Sequence, residues 1–254
     1  QEAIYVPFGR KRIEERLIRA WYRENSGFFS QVKAAMPRLS AAPLILITPP
    51  IALFFYERLA HHTVDWRSAG LADATKMVSG GEWHRAITAL SLHGDAGHIA
   101  SNSFWSFLLL TLLQQRIAWP FALWLTFFSG IFGNITSAFL HTGGHRSLGF
   151  STALFGAIGL LSGIEFRHPF QLSNRLLRRL APLAGALFLG IWIGTGEGTD
   201  VTAHLTGLLW GLFFGFLLPE KALLPHAIPR PAEALTLSLL LWVVWGAAWI
   251  VALQ

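Results

Sequence analysis

The chain has 254 residues, 53% of them hydrophobic and only 13% charged, with a formal net charge of +6 and no cysteine. Globular domains carry roughly 25% charged residues, so a chain this apolar (mean hydropathy +0.46) lacks the polar surface of a cytosolic enzyme, a disordered regulator or a coiled coil. Without cysteine, disulfide scaffolds, thiol nucleophiles and Cys-ligated zinc are excluded together.

The head, residues 1–38, holds Arg10, Lys11, Arg12, Arg16, Arg19, Arg23, Lys33 and Arg38 against Glu2, Glu14, Glu15 and Glu24, and so carries most of the positive charge. Within it, RIEERLIRAWY (Arg12 to Tyr22) sets Ile13, Leu17 and Trp21 at helical spacing, which predicts an amphipathic helix in solvent or at a membrane interface. The interleaved glutamates argue against a nucleic-acid partner. The charges also run too far for the short basic region of a cleavable signal peptide, and no small-residue cleavage site follows closely. Because the chain opens on Gln1, the sequence is expected to be trimmed at its start.

Beyond the head, tracts free of Asp, Glu, Lys and Arg run from Leu39 to Tyr56, Ala96 to Gln115, Ile117 to His145, Ser147 to Ile164, Leu180 to Gly196, Val201 to Pro219 and Ala234 to Gln254. A membrane-crossing helix needs about 20 mostly apolar residues, so these tracts predict seven spans. Pro49 and Pro50 should kink the first. The fourth and fifth are short enough to require little tilt or enclosure by neighbours. Loop charges set the orientation. With the head in the cytoplasm, Arg116, then Arg167, Arg175, Arg178 and Arg179, then Lys221 and Arg230 fall inside, whereas the outer loops after spans three and five hold Arg146 alone, and Glu197 with Asp200. The connection from Glu57 to Asp95 is more basic, but its length, Trp66 and Trp83 place it in or on the outer interface. The expected fold is an all-α polytopic membrane bundle, multi-pass in the cell's inner (plasma) membrane. Its divisions are a cytoplasmic head (1–38), a region of six spans (39–219), and a loop with a seventh span (220–254).

Polar groups inside a membrane are costly and by default functional. Span two opens with His93, His98 and Asn102, span four with Gly149, Phe150, Ser151 and Thr152, and span six with Asp200 and His204. All three spans descend from the outer face. At about 1.5 Å of rise per residue, His98, Asn102, Ser151 and His204 share one depth. Serine needs a base to act as a nucleophile, and His204 is the obvious one. No carboxylate lies within the apolar parts of these spans to complete a triad. A Ser151–His204 dyad follows, its imidazole held by packing, with Phe155 one turn after Ser151 as the candidate. His98 and Asn102, four apart on one helical face, and the Ser151 backbone N–H could donate to a developing oxyanion. Gly207, Gly211 and Gly215, facing Thr152, Gly156, Gly159 and Gly163, form the small-residue rows that let membrane helices approach closely. Each residue also has a plain structural reading: Ser151 bonding back to its own helix, Asn102 as interhelical glue, and His93 simply solvated. His61, His62, His84, His168 and His226 fall in loops or interfaces and are assigned no chemistry.

These residues resemble a family. HGDAGHIASN (His93 to Asn102) resembles the HxxxxHxxxN signature of rhomboid intramembrane serine proteases, GFST (Gly149 to Thr152) their GxSG nucleophile motif, DVTAHLTGLLWG (Asp200 to Gly211) their DxxAHxxGxxxG segment, and GEWHRAIT (Gly81 to Thr88) the GxxWRxxT run of their first external loop. Order and spacing agree across about Gly81 to Gly215. The resemblance implies Ser151 as nucleophile and His204 as general base. It implies an oxyanion hole from His98, Asn102 and the Ser151 N–H, with Gly149, Phe155, Gly207 and Gly211 in support. It further implies a six-helix core with one added C-terminal helix (6+1), the fifth span and the loop Thr195 to Asp200 as gate and cap, transmembrane-anchored protein substrates in the lipid bilayer, and no cofactor. Two positions depart from the pattern: Thr152 stands where glycine is usual, and His84 where tryptophan is usual, beside a retained Arg85. They keep open an inactive rhomboid-like protein that binds membrane clients. A metallohydrolase using His141 and His145 has no acidic residue in an HExxH arrangement, and a transporter has no charge at mid-membrane and no inverted repeat.

Overall fold

The computed structural model describes residues 41–59, 64–141, 143–167, 200–223 and 231–254. The head, the predicted fifth span and most of the proposed gate and cap lie outside the described residues. The rest is mostly helical. Six long helices follow one another: α1 (Pro43–Leu59), α2 (Ala96–Leu113), α3 (Trp119–Leu140), α4 (Ser151–Arg167), α5 (Val201–Leu217) and α6 (Pro231–Ala252). Three stretches, Ala96–Leu113, Trp119–Leu140 and Ala232–Ala252, are long and apolar enough to cross a membrane, and Val201–Leu217 is a shorter apolar helix.

Helix α1 contains Pro49 and Pro50. A proline inside a helix leaves the carbonyl four residues earlier without its N–H donor, and in a membrane that carbonyl needs another. Pro49 frees the carbonyl of Ile45, and the indole N–H of Trp242 on α6 donates to it at 2.7 Å. A second indole, Trp124 on α3, donates to Leu237 O of α6 at 2.8 Å. Paired indole bonds thus fasten the C-terminal helix to α1 and α3.

Helix α4 lies at the centre. Of its thirteen positions from Thr152 to Ile164 all but Leu161 are buried, and its most extensive contact is with α5. A Cβ added to Gly207, Gly211 or Gly215 would strike the carbonyl oxygen of Thr152, Gly156 or Leu160, and one on Gly159 the carbonyl of Leu208. The two backbones therefore touch, and contact at this range substitutes for the hydrophobic driving force that is absent between helices in lipid. At the far end of α4, Glu165 pairs with Arg116, in the α2–α3 turn, both largely buried.

The segment between α1 and α2 is built of short helical turns (Trp66–Gly70, Ala74–Val78, Arg85–Thr88) and a 3-10 turn, Ala89–Ser91. The two-residue strand β1 (Ala72–Asp73) pairs antiparallel with β2 (Arg146–Ser147) in the α3–α4 loop. Arg85 is buried and organises this segment: its Nε meets Glu82 at 2.6 Å, and its Nη1 donates to Ser68 O and Leu71 O at 3.0 Å each. Asn134 of α3 donates to Ala86 O at 3.0 Å.

Candidate active site

Ser151 is the first residue of α4. The chain reaches it through Gly149, whose φ of +126° is strained for any residue with a Cβ. A Cβ there would also sit 2.8 Å from the His98 ring. His204 lies on the first turn of α5, which Asp200 caps by accepting from the Ala203 N–H at 2.9 Å. The two elements bring Ser151 Oγ and His204 Nε2 to 2.8 Å. The His204 ring is buried and stacks on Phe155, with centroids 4.3 Å apart and planes 11° apart. Its Nδ1 has no hydrogen-bond partner among the described residues.

Helix α2 supplies the third wall. Asp95 caps it by accepting from the His98 N–H at 2.9 Å. The Gly94 N–H points at His98 Nδ1 at 3.5 Å, which leaves the proton of neutral His98 on Nε2, the edge turned to Gly149. Asn102 is buried, and its Nδ2 lies 3.0 Å from His93 Nε2. An amide has two N–H groups, so one remains for a ligand. Beside Ser151, a narrow cleft is lined by Asn102, Trp105, Leu109, Leu154, Phe155 and Ile158. It suits an apolar chain better than a charged one.

The solvated reading of His93 is wrong. The side chain is only 1% exposed, because the loop that carries it is gripped from outside. Arg67 donates to His93 O and Gly94 O at 3.3 and 2.9 Å, and Arg58 to Gly94 O at 3.1 Å. Turned inward, the ring meets Ser91 O through Nδ1 at 3.4 Å, while Nε2 receives the Phe150 N–H at 3.4 Å as well as Asn102. Its position at the head of the HxxxxHxxxN string was the available signal.

Thr152 is buried, and its methyl group points at Gly133 of α3 and at Gly207. The α3 glycine makes the room that the extra side chain needs. His84 heads the Arg85–Thr88 turn; burial, and then the neighbouring Arg85, hold its pKa below the ordinary value. The rings of His141 and His145 stack at 3.7 Å, and His145 Nε2 lies 2.8 Å from Asp200 Oδ2. Among the described residues, no group of three or more His, Asp or Glu side chains is disposed to hold a metal ion. Burial acts to raise the Asp200 pKa, but the Ala203 N–H, His145 and Ser147 outweigh it and hold the carboxyl below its usual value.

The Rhomboid domain model matches residues 80–221, more than half of the chain. This protein belongs to the rhomboid family. The match includes Arg85, His93, His98, Asn102, Ser151 and His204, and ends before α6. This rhomboid is also 31% identical over 116 residues to a Bacillus subtilis (strain 168) protein named "Putative rhomboid protease YdcA". That similarity covers 46% of the chain and 58% of the relative, so it spans less than two thirds of the relative's length. Family and apolar helices together make the chain an integral membrane protein.

Proposed function

We propose that this rhomboid is an intramembrane serine endopeptidase that cuts transmembrane-anchored proteins with a Ser151–His204 dyad. The 2.8 Å approach of Ser151 Oγ to His204 Nε2, at the mouth of an apolar cleft, carries the reading. His204 takes the hydroxyl proton as Oγ adds to the scissile carbonyl. The resulting oxyanion is met by the His98 Nε2–H, the free Asn102 N–H and the Ser151 backbone N–H, at the positive end of α4. Collapse breaks the C–N bond, with His204 returning its proton to the leaving amine. Water, activated by the same imidazole, then releases the acyl chain. The stacked Phe155 holds the ring in place of a carboxylate. The finer architecture proposed is a six-span core (39–219) with a seventh span following it (220–254), and a cytoplasmic basic head (1–38) in the inner membrane.

Labelling with a serine-directed fluorophosphonate tests the site. The wild-type protein is expected to label, and Ser151→Ala and His204→Ala to lose labelling. Label persisting in Ser151→Ala refutes the assignment. Cleavage of a reconstituted single-span substrate separates the protease from a client-binding rhomboid, the alternative that Thr152 and His84 keep open.

A further inference from the structure

Helix α6 lies beyond the residues matched by the family model, yet its outer end reaches the site. We propose that α6 is a positioning element for the oxyanion side of the site, acting from Trp249 through Ser91 and His93 onto Asn102.

The contacts form one line. The Trp249 indole N–H donates to Ser91 Oγ at 2.9 Å. The Ser91 hydroxyl donates onward to Thr88 O at 2.7 Å, so the serine is bonded on both sides and its backbone is fixed. The Ser91 carbonyl accepts from His93 Nδ1 at 3.4 Å. That bond places the histidine proton on Nδ1 and leaves Nε2 as an acceptor. Nε2 then receives Asn102 Nδ2 at 3.0 Å and the Phe150 N–H at 3.4 Å. Rotation of the imidazole would unpair an amide beside the nucleophile and a backbone N–H one residue before it. Trp249 is itself packed edge-on to Trp66 at 5.2 Å and against Gly70, where a Cβ would collide with the indole. The same helix touches Phe150 through Trp245, at a centroid distance of 6.2 Å. Oxyanion donors act only if they are aimed before the charge develops, and here the aim of Asn102 is set by a helix outside the catalytic motifs. Trp242, on the same helix, donates its N–H to the Pro49-freed carbonyl of Ile45 and has no such line to the site.

The kinetic arm of the test rests on the dyad reading. With the full chain in detergent and a single-span substrate, Trp249→Phe and Ser91→Ala should each lower kcat about 10-fold at unchanged KM, since small misplacement at a reacting centre is costly. The double variant should fall no further than either single. Trp242→Phe, which removes a bond of the same kind from the same helix, should keep the wild-type kcat. Full kcat in Trp249→Phe, or an equal loss in Trp242→Phe, overturns the proposal. A wild type that cleaves nothing refutes the dyad reading instead, and thermal unfolding then decides the linkage. Trp249→Phe and Asn102→Ala lie on separate elements with no direct bond, so independent sites would give additive effects. Non-additivity supports the line of contacts, and additivity overturns it.

Discussion

Phe155 and His204 stack nearly parallel at 4.3 Å, and that contact matters because the imidazole's second nitrogen has no bond among the described residues. In a triad a carboxylate fixes the ring's orientation; in the proposed dyad a flat apolar neighbour would do so. Leucine keeps most of the phenylalanine volume but offers no face to stack on, so the two roles separate. Phe155→Leu is expected to cost under about 1.5 kcal/mol of stability, as near-isovolumetric core changes do, while slowing substrate cleavage about 10-fold. Cleavage rate and unfolding temperature measured on one preparation check this. A rate that falls only in proportion to stability would count against the stacking role. Thr152 belongs at the same scale. Its sequence position suggests a steric fault at the α4–α5 contact, but the methyl group lies against Gly133 of α3, a glycine outside both small-residue rows. No spacing rule along one helix pairs Thr152 with a residue on α3, so the accommodation is legible only in three dimensions.

At the scale of elements, the α4–α5 contact and the α6 attachment use opposite devices. The first removes side chains until backbones meet; the second employs large indoles whose N–H groups find carbonyls on other helices. The glycine rows were readable from the sequence because their four-residue spacing is a property of a single helix. The indole bonds were not, because each joins two different helices: Ile45 O is open where Pro49 breaks the ladder of α1 beside α6, and Leu237 O is met by Trp124 from α3. The contrast yields a paired prediction. Gly211→Ala places a methyl group against the Gly156 carbonyl, with backbone on both sides and nothing able to give way. It should destabilise by about 1–3 kcal/mol and reduce Ser151 labelling. Gly246→Ala on α6 meets nothing within 4 Å and should be neutral, or stabilise by about 0.5–1 kcal/mol from the helix preference of alanine. Thermal unfolding of the two variants in the same detergent decides it; equal losses would mean that α4 and α5 do not pack as described.

Over the whole molecule, the proposed catalytic groups come from three helices, but the loop before Ser151 is positioned by carboxylates that lie outside the charge-free tracts. Asp73 accepts from the Lys76 N–H at 3.1 Å and from Arg146 Nε at 3.0 Å, and the Ala74 N–H donates to His145 O at 3.0 Å. Asp200 takes His145 on one oxygen and the Ala203 N–H on the other. The α3–α4 loop is thus held from the α1–α2 segment on one side and from the head of α5 on the other. In the sequence these aspartates stand among loop charges, and only the β1–β2 pairing brings Asp73 to Arg146. Burial acts to raise the Asp73 pKa, but the Lys76 N–H and Arg146 outweigh it, and the carboxyl lies below its ordinary value, as that of Asp200 does. A group whose pKa is lower folded than unfolded contributes stability above its unfolded pKa of about 3.9, because the unfolded chain binds the proton first, and that contribution is lost as pH falls through the folded value. The unfolding temperature in a non-ionic detergent should therefore drop as pH is lowered from 6 to 3. Asp73→Asn should begin lower at pH 6 and fall less steeply, so that the two curves converge at acid pH. Curves that stay parallel would mean that the Asp73 charge does not hold the loop. Because the loop leads directly into Gly149 and Ser151, fluorophosphonate labelling should decline in the variant at neutral pH together with the unfolding temperature.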